Sequence, residues 1–73
     1  MTIMLKSIED VNKLVSITNK YNFEIDLISG RYAINGKSIM GIFSLDLTKE
    51  IEVKPQTNDC YELFEELKPF EVK

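Results

Sequence analysis

Phe23-Glu-Ile-Asp-Leu-Ile-Ser-Gly-Arg-Tyr-Ala-Ile-Asn35 is the stretch on which the fold turns. Phe23, Ile25 and Leu27 alternate with Glu24 and Asp26, the period-two pattern of a half-buried strand. Ser29-Gly30 is a turn signal, because glycine reaches positive φ without a steric penalty. Arg31 to Ile34 then returns as a second strand, with Tyr32 and Ile34 on one face. A hairpin therefore sits near the middle of the chain, and Asn35-Gly36 breaks it.

Upstream of the hairpin the period changes. Thr2 to Lys6 is expected to form a short first strand. Ser7 suits an N-cap, since its hydroxyl can accept from the N–H of Asp10, and the acids Glu9 and Asp10 match the positive end of a helix. Ile8, Val11, Leu14, Val15 and Thr18 make one helical stripe, which predicts a helix from about Ile8 to Lys20. Downstream, Ser38 can cap a short helix through about Leu45, with Ile39, Met40, Ile42, Phe43 and Leu45 as its apolar residues. Glu50, Glu52 and Lys54 alternate with Ile51 and Val53 in a further half-buried strand that ends at or just before Pro55. Asn58 or Asp59 is the expected cap of a last helix in which Cys60, Leu63, Phe64 and Leu67 share a face and which Pro69 stops.

The order is β-α-β-β-α-β-α. Strands with one apolar face and helices to cover it give an α+β fold, a four-stranded antiparallel sheet with helices packed on one side. The other sheet face would carry Glu24, Asp26, Glu50, Glu52 and Lys54 towards water. With 73 residues, few Gly or Pro and no repeat, residues 1–73 are expected to form a single domain.

Composition removes several chemistries. The chain has 44% hydrophobic residues, too many for a disordered segment, and no apolar run near the roughly 20 residues of a membrane span. Met1-Thr-Ile-Met-Leu-Lys6 lacks the charged start and apolar stretch of a signal peptide, so a cytoplasmic home is expected, without a membrane partner. One cysteine cannot close an internal disulfide or build a multi-cysteine metal site. A net charge of −3 argues against a nucleic-acid partner. None of the 73 residues is histidine, which excludes histidine bases, triads, metal ligands and phosphohistidine.

Lys37-Ser-Ile-Met-Gly-Ile-Phe-Ser-Leu45 resembles a signature of HPr, the histidine-containing phosphocarrier family of the bacterial sugar phosphotransferase system. The family stretch runs Lys-Ser-Ile-Met-Gly, two apolar residues, then Ser-Leu. The resemblance extends without a gap back through Lys20-Tyr21 and the hairpin, and forward to Lys49-Glu-Ile-Glu-Val53, about half the chain from Val15 to Val53. It implies an HPr-like open-faced β-sandwich with the element order already read.

In that family a phosphorylated histidine begins the first helix, followed closely by an arginine and a proline. The ungapped match, run backwards, puts Ser7 at the histidine, Glu9 at the arginine and Asp10 at the proline. Alternatively, Met1–Lys6 is the first strand and a shortened loop leaves the histidine without a counterpart. Acids stand where the positive charge would be, and they would repel a phosphoryl group. The segment after Val53 is also several residues shorter than is usual in the family. Lacking the histidine but keeping the serine, the chain partly resembles the catabolite-repression HPr-like type.

The resemblance makes Ser38 a candidate for regulatory phosphorylation, beside its plainer role as a cap contributing roughly 1 kcal/mol. It makes Ile39, Met40 and Phe43 candidates for docking a protein partner of the phosphotransferase or carbon-regulation systems; the alternative is that all three are core. Ser7 has no base to activate it and is expected to cap. Glu9 and Asp10 are adjacent on a helix and do not converge for acid–base work. Cys60 on an apolar stripe is expected to be a small core residue rather than a redox thiol. Glu24, Asp26, Glu50 and Glu52 are expected to form a solvated face rather than a metal site. No catalytic residue and no cofactor is assigned. The leading expectation is a non-catalytic HPr-like regulatory or protein-binding module. The alternative is a structural or oligomerising domain on the same fold, with a homodimer through the first strand or second helix.

Overall fold

The computed structural model describes residues 1–72. In chain order the elements are β1 (Thr2–Ile3), α1 (Ile8–Thr18), β2 (Ile25–Ser29), β3 (Tyr32–Asn35), α2 (Ile39–Phe43), β4 (Ile51–Pro55) and α3 (Tyr61–Leu67). A 3-10 turn, Lys68–Phe70, follows α3 directly. The four strands form one antiparallel sheet in the order β1-β4-β2-β3. This is the α+β open sheet read from the sequence.

The hairpin closes through Gly30 and Arg31, with Ser29 opposite Tyr32. Among the described residues Gly30 alone takes a positive φ, +60°, the requirement of the first central residue in a two-residue II′ turn. The strand frame lies two residues later than the alternation suggested. Phe23 and Glu24 precede β2, and Ile25, Leu27 and Ser29 turn inward. One core gathers Ile3, Leu5, Val11, Leu14, Ile25, Leu27, Ile42, Ile51, Val53, Leu63 and Leu67, all buried. Burying a side chain of this size contributes about 1.5–3 kcal/mol, so the sheet–helix interface supplies most of the driving force.

Three local expectations are corrected. The first strand stops at Ile3 rather than Lys6, because only Thr2 and Ile3 pair with β4. The last helix is capped by neither Asn58 nor Asp59. Cys60 stands at its N-cap position without a side-chain bond, half-buried and ahead of the helical stripe it was expected to join. The N–H of Asp59 instead donates to the Thr57 hydroxyl at 3.2 Å, a local turn that competes with capping. Pro69 ends α3 less abruptly than expected, since the chain tightens into the 3-10 turn that contains it.

That turn leads to a strap. Met4 N–H donates to Phe70 O at 3.0 Å and Val72 N–H to Thr2 O at 2.9 Å, and Glu71 bridges Ile3 in antiparallel fashion. β1 is thus bonded on both sides, by β4 and by the strap. The far edge of the sheet is β3, three of whose four residues are exposed. On the open face Glu52 and Lys54 point to water, while half-buried Asp26 accepts from Gln56 Nε2 at 2.9 Å. Glu24 and Glu50 are exposed just ahead of their strands. Among the described residues no three acidic or thiol groups converge as a metal-ligand set. No helix among the described residues is long and apolar enough to cross a membrane.

Candidate functional site

Ser38 closes a turn that the hairpin delivers. Its N–H donates to Asn35 O at 3.0 Å, and the Asn35 side chain accepts from Lys37 N–H at 2.8 Å, the side-chain mimic of a turn that favours asparagine here. Gly36 lies against β2, its N–H donating to Ile25 O at 2.6 Å. A Cβ at Gly36 would come within 2.9 Å of that same oxygen, so only glycine fits without movement. From the other side the fully buried Thr18 hydroxyl donates to Gly36 O at 2.8 Å. Lys37 Nζ donates to Tyr21 O at 2.6 Å. The turn is therefore fixed by β2, by the end of α1 and by the segment after it.

On that platform Ser38 adopts extended φ and ψ of −98° and 107°, and its Oγ accepts from Gly41 N–H at 3.1 Å. The cap read from the sequence is present, and the serine is half-buried. α2 is five residues long and anchors itself by Ile42, which is fully buried. Ile39 is half-buried and packs against the core, whereas Met40 is 78% and Phe43 42% exposed. The three candidate docking residues thus divide: two present apolar surface to solvent and one mainly supports the helix.

Ser7 is the counterpart on α1. Its Oγ accepts from Asp10 N–H at 3.1 Å, and Asp10 Oδ2 accepts in return from Lys6 N–H at 3.0 Å. This reciprocal arrangement is a variant of the capping box. Glu9 lies 3.4 Å from Lys13 one turn on. A three-residue link, Met4 to Lys6, is all that separates β1 from the cap, and Leu5 within it is buried. The short strand and the Ser7 cap, both expected from the sequence, stand with those three residues between them. Ile8, beside the cap, is 68% exposed.

Other features carried no sequence signal. Tyr21 donates to Glu66 Oε2 at 2.6 Å, and Lys20 pairs with the same carboxylate. The hydrogen bond to Glu66, with burial and the charges of Glu66 and Glu62, pushes the Tyr21 hydroxyl up to about 12. The bonds from Lys20 and Tyr21 hold the Glu66 carboxyl below its usual range. Glu66 lies 45 residues from Tyr21, and no spacing rule links residues so far apart. A groove of about 850 Å³ lies between α1 and the strap, where Met4, Ile17, Phe70 and Val72 line it together with charged residues such as Glu9 and Lys13.

Comparison with known families matches residues 10–70 to the PTS HPr component phosphorylation site. The chain belongs to the HPr family. Ser38 and α2 fall inside the matched stretch, whereas Ser7 lies ahead of it. Among solved structures, HPr-C-His from Thermoanaerobacter tengcongensis is 24% identical, with a TM-score of 0.77 over 92% of this chain and 83% of that one. Crh from Bacillus subtilis, the catabolite repression containing protein, is 20% identical, with a TM-score of 0.68 over all of this chain and 90% of that one. The Crh crystal is described as a swapped, intertwined dimer. At these identities both relatives establish the HPr-like fold. No curated protein matches the chain.

Proposed function

We propose that residues 1–73 act as a single HPr-like domain that regulates or binds proteins of the phosphotransferase or carbon-regulation systems, with no histidine phosphoryl transfer and no enzyme activity of its own. The observation that carries this reading is the head of α1. In a chain of the HPr family without histidine, that position holds a serine engaged in capping, followed by Glu9 and Asp10. A phosphoryl group there would face two carboxylates and find no base to activate the serine.

The contact surface in this reading is α2. Exposed Met40 and Phe43, backed by Ile39, offer an adaptable apolar patch for partner recognition, and Ser38 stands at its edge as a residue that a kinase could modify. Phosphorylation of Ser38 would add charge beside that patch and change which partners it accepts.

Incubation with enzyme I and labelled phosphoenolpyruvate tests the first claim. No label should enter this chain, and transfer of label would overturn the reading. Incubation with a regulatory HPr kinase followed by intact-mass measurement tests Ser38, where the absence of a phosphate mass gain removes that role. A second reading, an oligomerising domain, draws on the swapped dimer described for Crh. Light scattering separates the two readings: a stable dimer whose interface buries Met40 and Phe43 favours the second.

A further inference from the structure

We infer that a second site, distinct from Ser38 and lying between the β2–β3 turn and the loop after α2, binds a small phosphate monoester carried on a flat ring, of the nucleoside monophosphate class. A cavity of about 530 Å³ opens there, and its lining includes Ser29, Arg31, Tyr32, Leu45 and Lys49. This volume falls within the ~300–1,000 Å³ range of small-ligand pockets.

Its cations are not held in close ion pairs, though the lining Asp46 carboxyl is held below its usual range by the hydrogen bonds from Thr48 and, after them, by the charge of Lys49. The ion pairs among the described residues engage Lys13, Lys20 and Lys68, and neither Arg31 nor Lys49 is in one. In a chain of net charge −3, two cations on one cavity are a local reversal of sign. Arg31 brings a planar fork suited to two phosphate oxygens, and Lys49 a mobile point charge.

Ser29 points the same way. It is 93% buried at the end of β2, yet its hydroxyl makes no hydrogen bond to any described residue. Among the described residues no fully sealed side-chain oxygen or nitrogen lacks a partner, so this hydroxyl is open, and Ser29 lines the cavity. An accessible hydroxyl on the cavity wall can donate to, or accept from, a ligand there.

Tyr32 and Leu45 supply the apolar part. The Tyr32 ring is 70% exposed and Leu45 half-buried, a stacking face and a wall for a ring attached to the phosphate. Two features oppose an anion. Asp46 also lines the cavity, although its Oδ1 is engaged by the N–H of Thr48 at 3.1 Å and its hydroxyl at 2.6 Å. The carbonyl end of α2 is close, but Gly41 O and Ile42 O already accept from Ser44 and Leu45. The two cations and the open hydroxyl outweigh a single, hydrogen-bonded carboxylate.

The test is a titration of the full chain with adenosine 5′-monophosphate, followed by amide NMR, with inorganic phosphate and adenosine run separately. Saturable shifts confined to Gly30, Arg31, Leu45 and Lys49 are expected with the nucleotide, weaker ones with phosphate and none with adenosine. Arg31→Gln and Lys49→Gln should each weaken binding roughly tenfold, the loss of one charge-assisted contact. Asp46→Asn should tighten it. All three side chains are exposed and their variants are expected to fold, which the rest of each spectrum verifies. Absence of saturable shifts, shifts centred elsewhere, or an Arg31→Gln variant that binds like the parent would overturn the site. Equal binding of phosphate and nucleotide would overturn the ring-bearing ligand class.

Discussion

The heads of α1 and α2 carry the same capping device in opposite settings. Ser7 and Ser38 each accept from the N–H three residues on, at 3.1 Å. Around Ser7 the chain places Glu9 and Asp10, and the three-residue link to β1 leaves little else nearby. Around Ser38 the first turn holds no acid, the turn before it is bonded to three parts of the fold, and the next residues are apolar and partly exposed. One serine therefore begins a helix where an anion is unwelcome; the other begins one on a rigid platform beside an apolar surface. Identical local chemistry thus sits in different electrostatic and packing surroundings.

The largest expected effect breaks the platform. Gly36→Ala drives a Cβ to 2.9 Å from the Ile25 carbonyl oxygen, and backbone on both sides must shift. Strain of this kind costs about 1–3 kcal/mol, read by urea unfolding, and the amide shifts around Ser38 should move more than those around Ser7. A loss confined to the Ser7 region would contradict the anchoring of the turn. Next, Ser7→Ala and Ser38→Ala should each cost about 1 kcal/mol. If one variant proved neutral, the two caps would not be equivalent devices.

A pH effect reports the far end of the same platform, through the Lys37 bond to Tyr21 O. Tyr21 is held at about 12 against its usual value near 10, so the fold favours the protonated phenol. That contribution is whole below about pH 10 and is lost as pH rises from about 10 to 12. Unfolding free energy should fall across that window. Glu66→Gln should return the Tyr21 absorbance titration towards 10, whereas an unchanged titration would remove Glu66 as the cause. The smallest effect sharpens the electrostatic contrast. Ser38→Asp caps without an acidic neighbour in the first turn, while Ser7→Asp joins Glu9 and Asp10. Ser7→Asp should be the less stable of the pair by a few tenths of a kcal/mol, about the size of one like-charge pair, and molar salt should erase the gap.

Both caps, the hairpin and the Val11, Leu14 and Thr18 stripe were legible because each depends on residues within a turn or two of one another. The bounds of β1 were not, because they depend on which residues meet β4 and the strap, nearly fifty and seventy positions away. The start of α3 misled for a different reason: Thr57 captures the N–H of Asp59 and so takes the place of a cap. At the candidate site the motif located Ser38, but the split between half-buried Ile39 and exposed Met40 and Phe43 is a property of packing that residue type alone does not encode. The cavity beside Arg31 and Lys49 joins residues eighteen apart, across α2, and no single stretch announces it.

The strap has a consequence for the connectivity of the chain. Val72 bonds to Thr2, so two positions seventy residues apart in sequence are neighbours in space. Closing so long a loop costs chain entropy that grows with the logarithm of its length. A short peptide joining these two neighbours would relieve that cost, and the ring so formed could be reopened at the Gly30–Arg31 turn without disturbing a core residue. The architecture is thus nearly circular, and its order of elements is one of several ways to cut the same ring.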